Sequence, residues 1–255
     1  ETSNTSANEC THATEKEGEA LMIPTPPPLQ LLGKTDDAKD LFLSLDVPPE
    51  SVPKSILEMV IKKKREKGES LDAISSQTLI HLLHASKEPI LSRTACQYII
   101  QCANEAVKNR EGGWTTDRHV HAPTCDIPVF DLNQNAVRWI RDAMKDVLFP
   151  LIAQSFPTDM GVKADKLRIQ DLFVVRYDGS DDEDQESIRK PGFASLRPHE
   201  DESIISLTIA LNDMTDYEGG GLFIASTGDL LNGDAGTVMS FAGGLVHGGY
   251  PVTKG

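Results

Sequence analysis

Basic residues are in short supply: 25 Lys and Arg stand against 39 Asp and Glu, a formal charge of −14 at pH 7. That balance repels phosphate backbones and anionic membrane surfaces, so nucleic-acid binding would need a local basic face. The one basic run, Lys62 to Lys67 (K-K-K-R-E-K), reads as the solvated side of a helix. Long apolar runs are missing too, and none approaches the roughly 20 residues of a membrane-spanning helix. No hydrophobic signal segment follows Glu1, which leads to the expectation of a mature form or a fragment. Cysteine is sparse: Cys10, Cys96, Cys102 and Cys125 show no C-x-x-C spacing, which argues against a zinc knuckle and a disulfide-dense scaffold. No G-x-S-x-G occurs, and Ser206 and Ser240 have no adjacent base, so serine hydrolase chemistry is unsupported. The apolar share of 39% is low for a compact globule, and part of the length is expected as tail or loop.

What is present sorts into segments. Residues 1–36 are rich in Thr, Ser and Glu and reach the run Pro26-Pro27-Pro28; they predict a disordered tail with a short polyproline stretch serving as a linker. Residues 37–88 predict a helical extension. One helix opens at Ser51-Val52-Pro53 with Ile56, Met59 and Val60 as its apolar stripe, and a second runs from about Leu71 to His84. His81 and His84 read as packing or surface residues. From Thr94 to Asn109, and again from Asn133 to Ile152, the spacing is helical; Cys96 and Cys102 on the first are expected as buried thiols, and Trp114 and Trp139 as core. After Leu167 the texture turns to short strands: 167–177, Ser203 to Leu211, Gly221 to Ala225 and Gly236 to Phe241. Helices followed by several short strands suggest an α+β fold with an antiparallel sandwich or barrel on a helical support. The acidic stretch from Asp178 to Glu186 lacks the order of a calcium loop and reads as an insertion.

The chemistry is concentrated in Arg197-Pro198-His199-Glu200-Asp201. In an extended segment His199 and Asp201, two apart, project from one face while Glu200 turns away. A third ligand is available in His247, within Gly243-Gly244-Leu245-Val246-His247-Gly248-Gly249 and just after a strand. Two histidines and one carboxylate on one side of a metal form the facial triad of non-haem Fe(II) oxygenases, which leaves positions for a bidentate keto acid and O2. Arg118-His119-Val120-His121 offers a second H-x-H, read as packing or a substrate rim.

The ordered series Gly113-Trp114, Arg118-His119, Pro123-Thr124-Cys125-Asp126-Ile127, Phe173 to Tyr177, His199-Glu200-Asp201, Leu211-Asn212, Tyr217 to Gly221, and His247-Gly248-Gly249 to Thr253-Lys254-Gly255 resembles the catalytic domain of the prolyl/lysyl hydroxylase branch of the 2-oxoglutarate- and Fe(II)-dependent oxygenases. The resemblance covers roughly residues 90 to 255 and puts the catalytic domain at 89–255. It implies a double-stranded β-helix (jelly-roll) core, Fe(II), 2-oxoglutarate, O2 and L-ascorbate, and a protein or peptide substrate hydroxylated on Pro or Lys. By the same resemblance His199, Asp201 and His247 are the iron ligands, and Tyr177 reaches 2-oxoglutarate. Asp201 stands where related halogenases have a small residue, which points to hydroxylation. The base that pairs the far carboxylate of 2-oxoglutarate would lie beyond Gly255; Lys254 is too early for it, so the domain is expected to be incomplete at its C-terminus. A silent oxygenase-fold scaffold and a cupin-like metal enzyme without keto acid are the alternatives. The sequon Asn4-Thr5-Ser6 matters only in a secretory compartment, and the endoplasmic reticulum lumen and the cytoplasm both remain open.

Overall fold

The computed structural model describes residues 24–29, 38–45, 47–68, 82–111, 113–115, 117–156, 160–179 and 193–255. In chain order the helices are α1 (Ala38–Leu41), α2 (Lys54–Glu66), α3 (Arg93–Lys108), α4 (Gln134–Ala143) and α5 (Phe149–Ser155). The strands are β1 (Phe42–Leu45), β2 (Leu83–Ser86), β3 (Asp126–Pro128), β4 (Phe173–Val175), β5 (Leu196–His199), β6 (Ile205–Ile209), β7 (Glu218–Gly219), β8 (Leu222–Ile224), β9 (Leu230–Leu231), β10 (Val238–Ala242), β11 (His247–Gly249) and β12 (Val252–Lys254).

The helices form where spacing and caps agree. Ser92 caps α3 by accepting from the Ala95 N–H, and Asn133 caps α4 by accepting from Asn135 and Ala136. Between α4 and α5 the chain widens into a π turn at Met144–Leu148, closed by the Phe149 N–H on the Met144 carbonyl. Pro150, next in line, has no N–H to give to the preceding turn, and a wider turn tolerates that loss. In α2, Ile56 and Val60 are each 1% exposed and face the core, as their spacing requires. Among the described residues no helix is long and apolar enough to cross a membrane.

Two four-stranded antiparallel sheets carry the molecule, in the orders β1-β2-β10-β6 and β5-β11-β8-β9, with two-stranded pairs β12-β7 and β3-β4 beside them. The α+β expectation holds, but the jelly-roll core does not: no sheet among the described residues closes on itself. Each larger sheet ends in open edges, β1 and β6 in one, β5 and β9 in the other. Strands of two to five residues, a register shift within β11, and three consecutive positive-φ glycines at Gly219, Gly220 and Gly221 break the ladders before they could curl into a barrel. The N-terminal strands β1 and β2 also take one flank of β10, where a continuing ladder would otherwise run.

That pairing revises the second helix expected from Leu71 to His84. Residues 69–81, His81 included, lie outside the described residues, and Leu83–Ser86 is a strand whose His84 is fully buried between Phe42 and Phe156. The strand expected from Ser203 to Leu211 shrinks to β6, half-buried with Thr208 exposed. Most of the acidic insertion and of the N-terminal tail lies outside the described residues. Residues 24–29, however, sit against the body, where Trp139 donates its indole N–H to the Pro27 carbonyl.

One continuous core joins α2 to α5 with the sheets, through Ile56, Leu82, Leu83, Ile127, Leu148, Ile224, Phe241 and Leu245. Cys96, Cys102 and Cys125 are buried free thiols, as expected for the first two. Burial pushes the Cys96 thiol up to about 11, with the nearby charge of Asp213 adding to it.

Candidate metal centre

The site grows out of the β5–β11 pair, which sets His199 directly opposite His247. Pro198 lacks an N–H, and β5 tolerates it because it is an edge strand. Arg197 and His199 share a face by alternation. Asp201 lies just past the strand and is held by its own N–H, which donates to the Gly243 carbonyl over 2.8 Å. Gly243 has to be glycine: a Cβ there would come within 2.1 Å of the Ser203 carbonyl. Glu200 is exposed and turns away.

Three donor atoms converge. His199 Nε2 lies 3.2 Å from Asp201 Oδ1, and His247 Nε2 lies 3.6 Å from Asp201 Oδ2. All three ligand atoms fall within 4.8 Å of one another. Donors about 2.1 Å from a common ion stand roughly 3 Å apart at right angles, so little movement is needed to seat a metal. The tautomers suit the task as well. His199 Nδ1 is 3.0 Å from the Arg197 carbonyl and His247 Nδ1 is 2.8 Å from the Leu245 carbonyl. A carbonyl can only accept, so each neutral ring carries its proton on Nδ1 and turns the Nε2 lone pair inward. Phe241 closes one side, edge-on to the His247 ring at 4.4 Å.

Electrostatics follow from this packing. The hydrogen bond to Asp201 raises His199 above the ordinary imidazole value despite burial. Burial alone would raise Asp201, but hydrogen bonds from His199 and Ser206 and the nearby rings outweigh it and hold the carboxyl below the usual range. Burial dominates at His247, only 5% exposed, and lowers it, keeping that ring neutral.

No family model matches the chain. A procollagen-lysine,2-oxoglutarate 5-dioxygenase 1 from Gallus gallus is 29% identical over 174 residues, covering 66% of this chain and 22% of the relative. A multifunctional procollagen lysine hydroxylase and glycosyltransferase from Caenorhabditis elegans is 30% identical over the same length and shares. The human LH3 enzyme of that description is 30% identical over 142 residues, 52% of this chain and 16% of the relative. The chain thus spans about a fifth of the length of the curated relatives it matches. It carries a 2-oxoglutarate/Fe(II)-dioxygenase-like domain related to the procollagen lysine hydroxylases.

Around the triad of this dioxygenase-like domain, Tyr177 follows β4 and brings its hydroxyl over Gly249, where a Cβ would lie 2.8 Å from the phenol oxygen. Burial, and then the charge of Asp126, push the Tyr177 phenol up to about 12, so it is a hydrogen-bond donor at any working pH. Lys254 is exposed and 3.8 Å from Glu218, engaged away from the triad. His119 does not join the triad either. Its ring packs against Phe173, tilted by 43° with centroids 4.9 Å apart, and lies 3.6 Å from Asp126, while Arg118 bridges Asp126 at 2.6 Å and Asp171 at 2.9 Å. His121 is exposed.

The residue missed by sequence reasoning is Ser206, considered there only as a nucleophile. Its hydroxyl donates to Asp201 Oδ2, and it shares a 2.8 Å hydrogen bond with the Ser203 hydroxyl. Nothing in the spacing signals this, because the turn through 202–204 brings the chain back on itself. A polar residue facing inward at the start of β6 was the available hint.

Proposed function

We propose that this chain is an oxidoreductase that hydroxylates a lysyl or prolyl side chain of a protein or peptide, with O2 and 2-oxoglutarate as co-substrates and succinate and CO2 as co-products. The observation that carries the reading is the convergence of His199 Nε2, His247 Nε2 and an Asp201 oxygen, with both Nδ1 atoms already committed to carbonyls. His199, Asp201 and His247 would hold Fe(II), which when bound supplies the redox and O2 chemistry that couples keto-acid decarboxylation to oxygen insertion. L-ascorbate would keep that iron reduced. Retention of a carboxylate at Asp201 favours hydroxylation over halide transfer.

The remaining tasks fall to the chain itself. His199 and His247 present lone pairs only when neutral; the carbonyl partners set which nitrogen then faces inward, and burial favours the neutral form of His247. Asp201 contributes the negative charge that offsets a divalent cation. Tyr177, protonated and half-buried beside Gly249, would donate a hydrogen bond to the keto acid. Residues 89–255 are taken as the catalytic unit, with 37–88 as a supporting layer and 1–36 appended. The formal charge of −14 draws cationic side chains, so a lysyl peptide is the first substrate to test.

Anaerobic loading with Fe(II), followed by air, 2-oxoglutarate and lysyl or prolyl peptides, should release succinate in step with hydroxylated peptide. His199→Ala should remove both products. Succinate formation unchanged in His199→Ala would sink the triad. Metal bound without any keto-acid charge-transfer band would instead favour a scaffold or a keto-acid-independent enzyme.

A further inference from the structure

Residues Pro24 to Leu29 (P-T-P-P-P-L) rest on the helical side of the molecule with a period of three. Pro24 and Pro27 are half-buried, whereas Thr25, Pro26, Pro28 and Leu29 are exposed. Three residues per turn is the repeat of the polyproline II helix, which a proline run adopts with little entropy left to lose and with carbonyls unpaired within the segment. The inward Pro27 meets a fitted partner: Trp139 on α4 donates its indole N–H to the Pro27 carbonyl over 2.8 Å. Trp139 is itself fixed, standing edge-on to the buried ring of Tyr98 on α3 with centroids 5.7 Å apart and planes at 70°. Trp139 also packs against both apolar clusters of the core, so its donor direction is set before any segment arrives.

A rigid aromatic plate with an outward N–H is the arrangement that reads proline-rich segments: the rings pack on the plate, and the donor takes a carbonyl that the polyproline helix leaves free. We propose that the Trp139–Tyr98 face is a docking site for proline-rich polyproline II segments, filled in cis by residues 24–29 and able to exchange them for such a segment of another chain. Tethering gives the cis segment an effective concentration on the order of millimolar, so a free peptide competes poorly until the cis segment is disabled. The inference does not rest on the metal centre, and neither reading depends on the other.

The test uses the full chain and a synthetic peptide spanning residues 23–29. The chain has two tryptophans, so its two indole N–H resonances are assigned with Trp139→Phe, a variant that keeps a ring and removes the donor. In the double variant Pro24→Gly, Pro27→Gly, the Trp139 resonance should move while far-UV circular dichroism stays constant. Added peptide should return it toward the wild-type position, saturably, with an apparent affinity at least about ten-fold tighter than for the wild-type chain. A peptide with Ala at the positions of Pro24 and Pro27 should bind more weakly, and Trp139→Phe should bind neither. An unmoved indole in the double variant overturns the proposal. So does a peptide that fails to bind it at millimolar concentration, which would leave residues 24–29 as packing only, or one that binds Trp139→Phe equally well.

Discussion

The hydroxyl of Ser206 occupies one oxygen of Asp201, and that constrains how the carboxylate can serve a cation. With Oδ2 accepting from Ser206, and Ser206 held by Ser203 at 2.8 Å, Oδ1 is the freer oxygen and the carboxylate cannot swing. Partners of this kind typically contribute 10- to 100-fold in metal affinity. Ser206→Ala should therefore weaken Co(II) or Fe(II) binding by about that factor in an anaerobic titration, with the thermal transition little changed. Equal affinity would reduce Ser206 to a packing residue. Proton competition acts on the same atoms. His199, raised by its hydrogen bond to Asp201, must shed its proton before Nε2 can bind a metal. Metal affinity should fall as pH drops through that raised value, sooner than an unperturbed imidazole would dictate. In the metal-free protein the signs differ. The His199 contribution to stability is complete below its unfolded value and fades as pH rises through the folded one. The Asp201 contribution is present above its unfolded value and fades as pH falls through its lowered one. The ion pair thus supports the metal-free fold most between the unfolded-state values of the two groups, and denaturant titrations across that range without metal would expose a misassigned direction.

Between β5 and β11 the two histidines depend on backbones lying close, and the glycines after His247 allow it. A Cβ at Gly248 would sit 2.6 Å from the Leu196 carbonyl, a backbone atom with no rotamer in which to retreat. Gly248→Ala should push β5 away, at about 1–3 kcal/mol of stability, and loosen the opposition of His199 and His247. The expected result is a larger loss of metal affinity than of helical circular dichroism; retained affinity would mean that the strands accommodate the methyl group. At this scale the sequence was unevenly legible. The helices α3 and α4 could be read from local spacing, because a helix closes its hydrogen bonds within a few residues. Strand extents were overestimated at Ser203 to Leu211, and the end of the supposed second helix at His84 is strand β2. Its apolar run Leu82-Leu83 suits a buried strand as well as a helix, and the partner that decides, β10, is far away in the chain.

Across the whole molecule the same non-locality explains why the convergence of two histidines and a carboxylate could be anticipated while the sheet architecture could not. His199, Asp201 and His247 are marked by residue type, spacing and flanking glycines; barrel closure depends on which short strands pair, and no local pattern states that. The two levels also separate in energy. Ile56, 1% exposed on α2, belongs to the core, whereas the triad lies on the β5–β11 pair. Ile56→Ala removes buried apolar volume and should cost about 2–5 kcal/mol. In a chain of this length each kcal/mol is worth roughly 2–4 °C in melting temperature. A metal that binds only the folded state adds RT ln(1 + [L]/Kd), about 2.7 kcal/mol at a hundred-fold excess over Kd. Co(II) should therefore raise the melting temperature of the wild-type chain, and that of Ile56→Ala by a comparable increment from a lower base. Asp201→Ala, which leaves two neutral imidazoles and no charge, should show almost none of the increment. If Ile56→Ala lost the metal increment as well, the core and the β5–β11 pair would form one cooperative device rather than a scaffold bearing a site. If Asp201→Ala kept it, Co(II) would be binding elsewhere on this acidic surface.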